Sequence, residues 1–534
     1  MQDVSVTSKK RNIVVSAVKM SGTTMLSRLF GLVRDQFQAN FLGTSWASDA
    51  FTVAYQIPNL LRRLFAEGSM TASFIPVFMD VEKERTQEEA HRFFASFFTL
   101  LFLVVALVVL AGVLAAPYIV KLLYLAGSVS QEKYVLTVHL TRLMFPYILV
   151  ISLAALLQGI LNIRNNFTVP AFTPVLLNLS IIGSVLVGYF FFPATFKNIT
   201  TAFAVGVLIG GVIQVLFQVP FFLKTGYRIF PAFRFRDPDI RRVGRLFTPG
   251  IFGVGIYQIN VLVSFGFASA LGVGRQSAIM FASRINELTL GVFAVSLATV
   301  MLPTLSKQVS EANREEFLES IAYSLRLLAL VTIPAAIGLF VLSDDIVRLL
   351  LKFGKFSSTS VILVSSTLRY YSLALFFIAS YRIITQSFYS LKDTRTPVYV
   401  SFFTLLLNAT LCYFLPRFFS GDQNIIGIAL ANTISNSLNF FILFFLLKRK
   451  LGGVRLIRRG ISFAQTLGAS LVMGAVALGA QQYFLQDLTK LELLWRLVFV
   501  IAICATVYFA ANLLFGNSET KAVVRQLTKR RDRR

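Results

Sequence analysis

The sequence predicts an all-α polytopic membrane protein: about fourteen spanning helices, in two six-helix lobes related by a parallel repeat, plus two extra C-terminal helices. Three observations predict this. Of 534 residues, 56% are hydrophobic and only 14% are charged, whereas a soluble chain carries about 25% charged residues to coat its surface. Apolar stretches of about 20 residues, the length that crosses a hydrocarbon core of roughly 30 Å, recur along the chain. Matching motifs also recur some 220–230 residues apart.

The expected spans are 17–43, 48–79, 93–123, 137–162, 171–193, 200–223, 247–271, 276–303, 320–342, 361–390, 397–416, 425–447, 461–484 and 492–515. The first two carry charges in mid-length, but the apolar residues around those charges recur at helical spacing. Proline stands at span starts (Pro170, Pro397) and inside spans (Pro58, Pro146, Pro249), where neighbouring groups re-satisfy the freed carbonyl. Residues 1–223 form an N-lobe, 224–246 a basic cytoplasmic linker, 247–447 a C-lobe, and 448–534 the last two spans with a basic tail. The N-terminus reads as a basic start to the first helix rather than a cleavable signal peptide.

Orientation follows the positive-inside rule. Seven Lys and Arg residues fall in 224–245, six in 448–460 and seven in 516–534. Both termini are therefore expected in the cytoplasm, and the net charge of +26 reads as topology and contact with anionic headgroups, not as nucleic-acid binding. The segment around Ile346-Val347-Arg348-Leu349-Leu350 is basic but falls outside, and is expected as a short helix on the membrane surface. Cys412, Cys504, His91 and His139 offer no disulfide or metal spacing.

The repeat rests on two comparisons. Leu42-Gly43 and Leu271-Gly272 each precede a long segment that ends in proline, Pro76 and Pro303. Gln158 leads through a polar turn to Thr173-Pro174-Val175, with Asn178 beyond; Gln386 leads likewise to Thr396-Pro397-Val398, with Asn408 beyond. Six spans separate the matched pairs, so the halves face the same way, a common transporter plan with the substrate site between lobes.

An ionisable residue at the centre of a membrane helix costs about 2.5–3.5 kcal/mol on insertion scales, so it faces a partner or a wet cavity. Span 1 holds Arg28, Arg34 and Asp35; span 2 holds Asp49, Arg62, Arg63 and Glu67; span 8 adds Arg284 and Glu287. Arg63 and Glu67, four apart, are placed to pair with each other. Arg28, Arg34 and Arg62 have fewer carboxylates at hand. Surplus guanidinium in a cavity favours a phosphate ligand, whose oxygens match its planar fork. In the two-lobe plan span 8 is the counterpart of span 2, and Arg284 would grip the same ligand from the other side.

The chain lacks a phosphate-binding Gly-x-x-x-x-Gly-Lys-Ser/Thr loop, an acidic magnesium cluster and a Ser/His/Asp constellation, so a transporter is expected rather than an enzyme. An ion-coupled drug antiporter would call for acidic rather than arginine-rich cavities.

Ser27-Arg28-Leu29-Phe30-Gly31, Val33-Arg34-Asp35, Ser48-Asp49-Ala50-Phe51, Pro58-Asn59-Leu60-Leu61-Arg62-Arg63-Leu64-Phe65-Ala66-Glu67-Gly68, Ala282-Ser283-Arg284 and Leu302-Pro303-Thr304-Leu305-Ser306 together resemble the signature of the MurJ (MviN) lipid II flippases. The resemblance covers essentially the whole chain. It implies the fold of the multidrug/oligosaccharidyl-lipid/polysaccharide exporter superfamily, in a bacterial inner membrane. The implied activity is movement of undecaprenyl-pyrophosphate-linked peptidoglycan precursor from the inner to the outer leaflet by alternating access, with another lipid-linked oligosaccharide as the alternative cargo. Arg28, Arg34 and Arg284 match the family's cavity arginines. Asp49, Arg62 and Glu67 match functionally sensitive positions, and Asp35, Asn59 and Glu287 are expected in the same gating or cavity set. Spans 13 and 14 would form the groove for the polyprenyl tail. The implied partners are lipid II, membrane lipids and the cell-wall synthesis machinery, around a monomer.

Some family members resemble sodium-binding transporters. Here the matching positions are Ser264, Asn408, Cys412 and Thr433, and no Asp or Glu lies in span 7 or span 11. A set of neutral ligands is a poor sodium cage, so neither a cofactor nor a sodium site on that pattern is expected, with membrane potential as the alternative driving force.

Overall fold

The computed structural model describes residues 22–23, 25–65, 69–124, 127, 129–452, 460–486, 488–522 and 525. Among them every regular element is helical. Packing divides the chain into two units, Met1–Gln276 and Ser277–Arg534.

The first unit holds α1 (residues 25–42), α2 (Trp46–Phe65), α3 (Ser69–Glu84), α4 (Gln87–Leu123), α5 (Gln131–Met144), α6 (Tyr147–Ile163), α7 (Thr168–Phe191), α8 (Phe196–Leu223) and α9 (Pro238–Ser269). Its helix starts follow capping chemistry. Thr86 accepts from the backbone of Glu89 while Glu89 reaches back to Thr86, a capping box that opens α4. Asp237 caps α9, with Pro238 in the first turn. In one core Ala47, Ala50, Phe51 and Ala54 of α2 meet Leu140, Met144, Tyr147, Ile181, Phe203 and Val207. The second is an aromatic block in which Phe74 and Phe78 of α3 and Phe93, Phe94 and Phe97 of α4 surround Phe222 and Tyr227. Helices α7 and α8 pack closely because Gly206 and Gly210 face Ile181 and Leu177; a Cβ on Gly206 would stand 2.7 Å from the Ile181 Cα.

The second unit follows with α10 (Arg275–Ser310), α11 (Arg314–Leu351), α12 (Ser358–Ser372), α13 (Leu375–Ser390), α14 (Arg395–Phe414), two short 3-10 turns, α15 (Ile425–Lys450), α16 (Gly460–Phe484) and α17 (Lys490–Leu514). The α16–α17 pair packs on α11 through Leu330, Val341, Ala469, Met473, Ala477, Leu497, Cys504 and Tyr508. Beyond α17 the chain turns back. Asn517 donates to the Ser462 carbonyl and Thr466 Oγ1, and Glu519 pairs with buried Arg326 of α11 at 2.7 Å. Burial alone would raise the pKa of Glu519, but hydrogen bonds from Ser462 and Ser518 and the charge of Arg326 hold it below the ordinary carboxylate value. The segment expected as a surface helix around Ile346 is the continuation of α11 past a kink at Leu342. Val347 and Leu351 in it are buried, so the segment packs within the protein as part of α11 rather than standing as a separate surface helix.

The repeat is visible in backbone detail. Asn165 after α6 has φ +60° and Lys392 after α13 has φ +59°. The amide of Asn166 bonds to the Leu161 carbonyl and that of Asp393 to the Phe388 carbonyl, both at 2.9 Å. Asn165 and Lys392, Asn166 and Asp393, and Leu161 and Phe388 are all separated by one and the same offset along the chain. The same left-handed helix stop also ends α10 at Ala312 and α17 at Gly516, so it is the shared offset, not the stop itself, that marks the repeat. Gly43 and Gly272 likewise both take positive φ. The helix pair α5–α6 breaks at Phe145–Pro146, and α12–α13 bends by 46° near Leu373 and Ala374.

Among the described residues nine helical segments are long and apolar enough to cross a membrane, ten if the bent α12–α13 pair is one span. The expected spans outside that set fall on α1, α2–α3, α9 and α10. Three of these four carry the mid-helix charges noted above, which lower their hydropathy.

Candidate functional site

Helix α1 presents its charges on a face kept small and polar by Ser27 and Gly31. The Arg34 guanidinium is held on two sides. Its Nε and Nη2 donate to Asp35 Oδ1 at 3.1 and 2.7 Å, and its Nη1 donates to Asn178 Oδ1 of α7 at 3.1 Å. Asn178 in turn donates to the Ser27 carbonyl at 3.2 Å, and Gly31 leaves space for that amide. Asp35 is buried and Arg34 nearly so. Arg28, two turns before Asp35, is half-buried and makes no hydrogen bond or ion pair among the described residues. Two guanidinium groups against one carboxylate leave α1 with one net positive charge.

Asp49 is in a different situation. It is fully buried, and its Oδ2 accepts from Lys133 Nζ of α5 at 3.0 Å and from the Gly274 amide at 2.8 Å. Lys133 is itself buried and lies 5.6 Å from the Tyr124 ring centroid. Gly274 has φ +87°, and a Cβ there would stand 2.4 Å from the Thr44 carbonyl oxygen. Only glycine both adopts that backbone and lets the amide reach Asp49.

Further along α2, Arg62 donates through Nε and Nη2 to Asn59 Oδ1 at 3.2 and 3.0 Å. Glu67, and with it the expected Arg63–Glu67 pair, lies outside the described residues. In the second unit Arg284 Nη1 stands 3.2 Å from Glu287 Oε2, one turn on, with both side chains partly exposed. Arg369 pairs with Asp344 at 2.5 Å.

The neutral positions considered for sodium carry ordinary side-chain bonds. Ser264 donates to the Asn260 carbonyl, Cys412 to Asn408 Oδ1 at 3.8 Å, and Thr433 to the Tyr370 carbonyl. Among the described residues no three His, Cys, Asp or Glu side chains gather where they could hold a metal.

Sequence reasoning misses Lys133 and Asn178 as partners. Lys133 is far from Asp49 along the chain, at a separation of 84, and reads as an outside-loop cation. Asn178 carries a usable signal, a carboxamide inside an apolar span, yet spacing alone makes it only a mark of the repeat.

Residues 38–499 match the family described as lipid II flippase MurJ. The chain belongs to the MurJ family. It is 34% identical over 434 residues to a probable lipid II flippase MurJ of Buchnera aphidicola subsp. Acyrthosiphon pisum, covering 81% of this chain and 83% of that one. The probable lipid II flippase MurJ of Vibrio cholerae serotype O1 is 32% identical over 482 residues, 89% of each chain. Among solved structures, a lipid II flippase MurJ in an inward closed conformation superposes with a TM-score of 0.76 at 27% identity, covering 95% of this chain and all of that one. An inward-facing multidrug transporter of the MATE family, in the MOP superfamily, gives 0.68 at 14% identity over 82% of this chain and 98% of its own, and shares the fold.

Proposed function

We propose that this MurJ family member is a lipid II flippase, and that Arg28, Arg34 and Arg284 hold the pyrophosphate and adjoining headgroup of the lipid-linked precursor. The observation that carries the site assignment is the guanidinium of Arg28, half-buried on a polar helix face and without a carboxylate partner among the described residues. A pyrophosphate supplies the missing anion and several acceptors for a planar fork. Arg34, already oriented by Asp35 and Asn178, keeps its fork pre-set.

In this reading fourteen spans place both termini in the cytoplasm, lobes 1–223 and 247–447 rock about the headgroup in alternating access, and the tail stays in the bilayer beside α16 and α17. Asp49, Asn59, Arg62 and Glu67 serve the gates. The chain works as a monomer and as a transporter rather than an enzyme. Membrane potential drives the cycle without a sodium site, since one charge moved through 100 mV is worth about 2.3 kcal/mol. Replacing Arg28, Arg34 and Arg284 by Ala is expected to abolish growth of a flippase-depleted strain, with lipid II accumulating in the inner leaflet while the protein still inserts. Full growth with all three replaced overturns the site assignment.

A further inference from the structure

The connector between α8 and α9 has a construction that substrate transport does not call on. Its ends are pinned to the first unit. His91 Nε2 donates to the Gly226 carbonyl at 2.7 Å, and Tyr227 OH donates to Glu82 Oε1 at 2.7 Å. Tyr227 is buried against Phe78 and Phe94, and Arg85 pairs with Asp237 at 3.1 Å. Between these pins the chain runs without regular structure.

Its midpoint reaches well along α4. The Ala232 amide donates to Thr99 Oγ1 at 3.0 Å. Thr99 lies seven residues past Arg92 (99−92), about 10 Å along the helix axis, and one turn before Phe102 and Leu103, which are exposed on an α4 otherwise apolar to Lys121. The connector therefore rises beside α4 to the level where that helix turns apolar and outward. At this level Ile229, Phe230 and Phe233 are exposed, Phe233 by 70%. Arg228, Arg234 and Arg236 are exposed around them and have no side-chain partner among the described residues. No acidic residue occurs from 227 to 236.

We propose that residues 228–236 form an interfacial anchor: Phe230 and Phe233 enter the headgroup–acyl boundary, and Arg228, Arg234 and Arg236 bind the phosphates of anionic phospholipid in that leaflet. The charge is complementary, with three cations and no carboxylate. Apolar side chains flanked by basic ones are what such a surface takes up, at a depth of about 5–10 Å. A soluble acidic partner would account for the arginines but not for aromatic residues level with the lipid-facing surface of α4. The anchor stands independently of the cargo assignment, and its test needs no transport.

The test uses the full chain carrying F233C labelled with bimane; Cys412 and Cys504 are buried. The labelled protein is reconstituted in vesicles of phosphatidylcholine with phosphatidylglycerol as the minority lipid, and brominated acyl chains are placed on one lipid or the other. E88C in the charged first turn of α4 is the control. Bromolipid should quench the label at 233 at least about twofold more than at 88. Each arginine near an anionic surface is worth about 1 kcal/mol, roughly fivefold in local enrichment, so brominated phosphatidylglycerol should quench beyond its share of the mixture. R228Q/R234Q/R236Q should remove that excess. Quenching at 233 no greater than at 88 overturns the anchor. Equal quenching per mole by the two lipids, or an excess that survives the three substitutions, overturns the role of the arginines.

Discussion

Arg28 and Arg34 on α1 and Asp49 with Lys133 between α2 and α5 are all charges within the first unit, yet they are built differently. Asp49 and Lys133 are closed: one carboxylate, one ammonium, both buried, the carboxylate also taking a backbone amide. The α1 group is open, with two guanidinium groups, one carboxylate and Arg28 half-buried without a described partner. A buried pair loses its balance when either member is removed, whereas an under-neutralised cation needs an anion from elsewhere. The contrast separates charges that hold helices together from charges placed for a ligand.

Breaking the closed pair should have the largest effect on stability. D49A strands Lys133 in the interior and is expected to cost about 3–5 kcal/mol, read as lower yield and a lower thermal midpoint in detergent. D49L/K133M, which removes both charges, should recover most of that loss; a double variant as unstable as D49A would mean the pair is not what holds these helices. G274A is next, at about 1–3 kcal/mol, because the residue takes φ +87° and its Cβ meets the Thr44 carbonyl. A neutral thermal shift would show that this turn relaxes freely.

A smaller effect belongs to Asp393, in the turn after α13. Burial would raise its pKa, but hydrogen bonds from Lys450 and Thr396 outweigh that and hold it at about 2. A carboxylate depressed in the folded state adds stability above its unfolded pKa of 3.8 and loses it as pH falls toward 2. The loss should be about 1 kcal/mol after solvent screening, and D393N should flatten the acid limb of a thermal-midpoint curve. The smallest change in stability is expected for R28Q, within about 0.5 kcal/mol, although its loss of flippase complementation should be severe. A large drop in the melting temperature for R28Q would move Arg28 into the structural class and erase the contrast.

Much of this is legible in the sequence. The arginines on α1 stand out because guanidinium does not belong at the centre of an apolar helix, and the repeat is visible in the paired Leu-Gly and Thr-Pro motifs. The structure adds the helix stops at Asn165 and Lys392, which periodicity does not reveal because a left-handed cap can be made by several residue types. The expected pairing of Arg63 with Glu67 uses helical spacing alone. The pairing that organises Arg34 involves Asn178, on another helix and 144 residues away, and no local rule connects those positions.

The sequence by itself determined the solvent of this protein, its helices, its repeat and the presence of basic groups inside the membrane, because these depend on composition and spacing along the chain. Only the tertiary structure decided which of those charges are neutralised. Neutralisation depends on approach to about 3 Å between groups far apart in sequence, such as Asp49 and Lys133, and in a medium of low dielectric that approach separates a structural ion pair from a group awaiting its ligand.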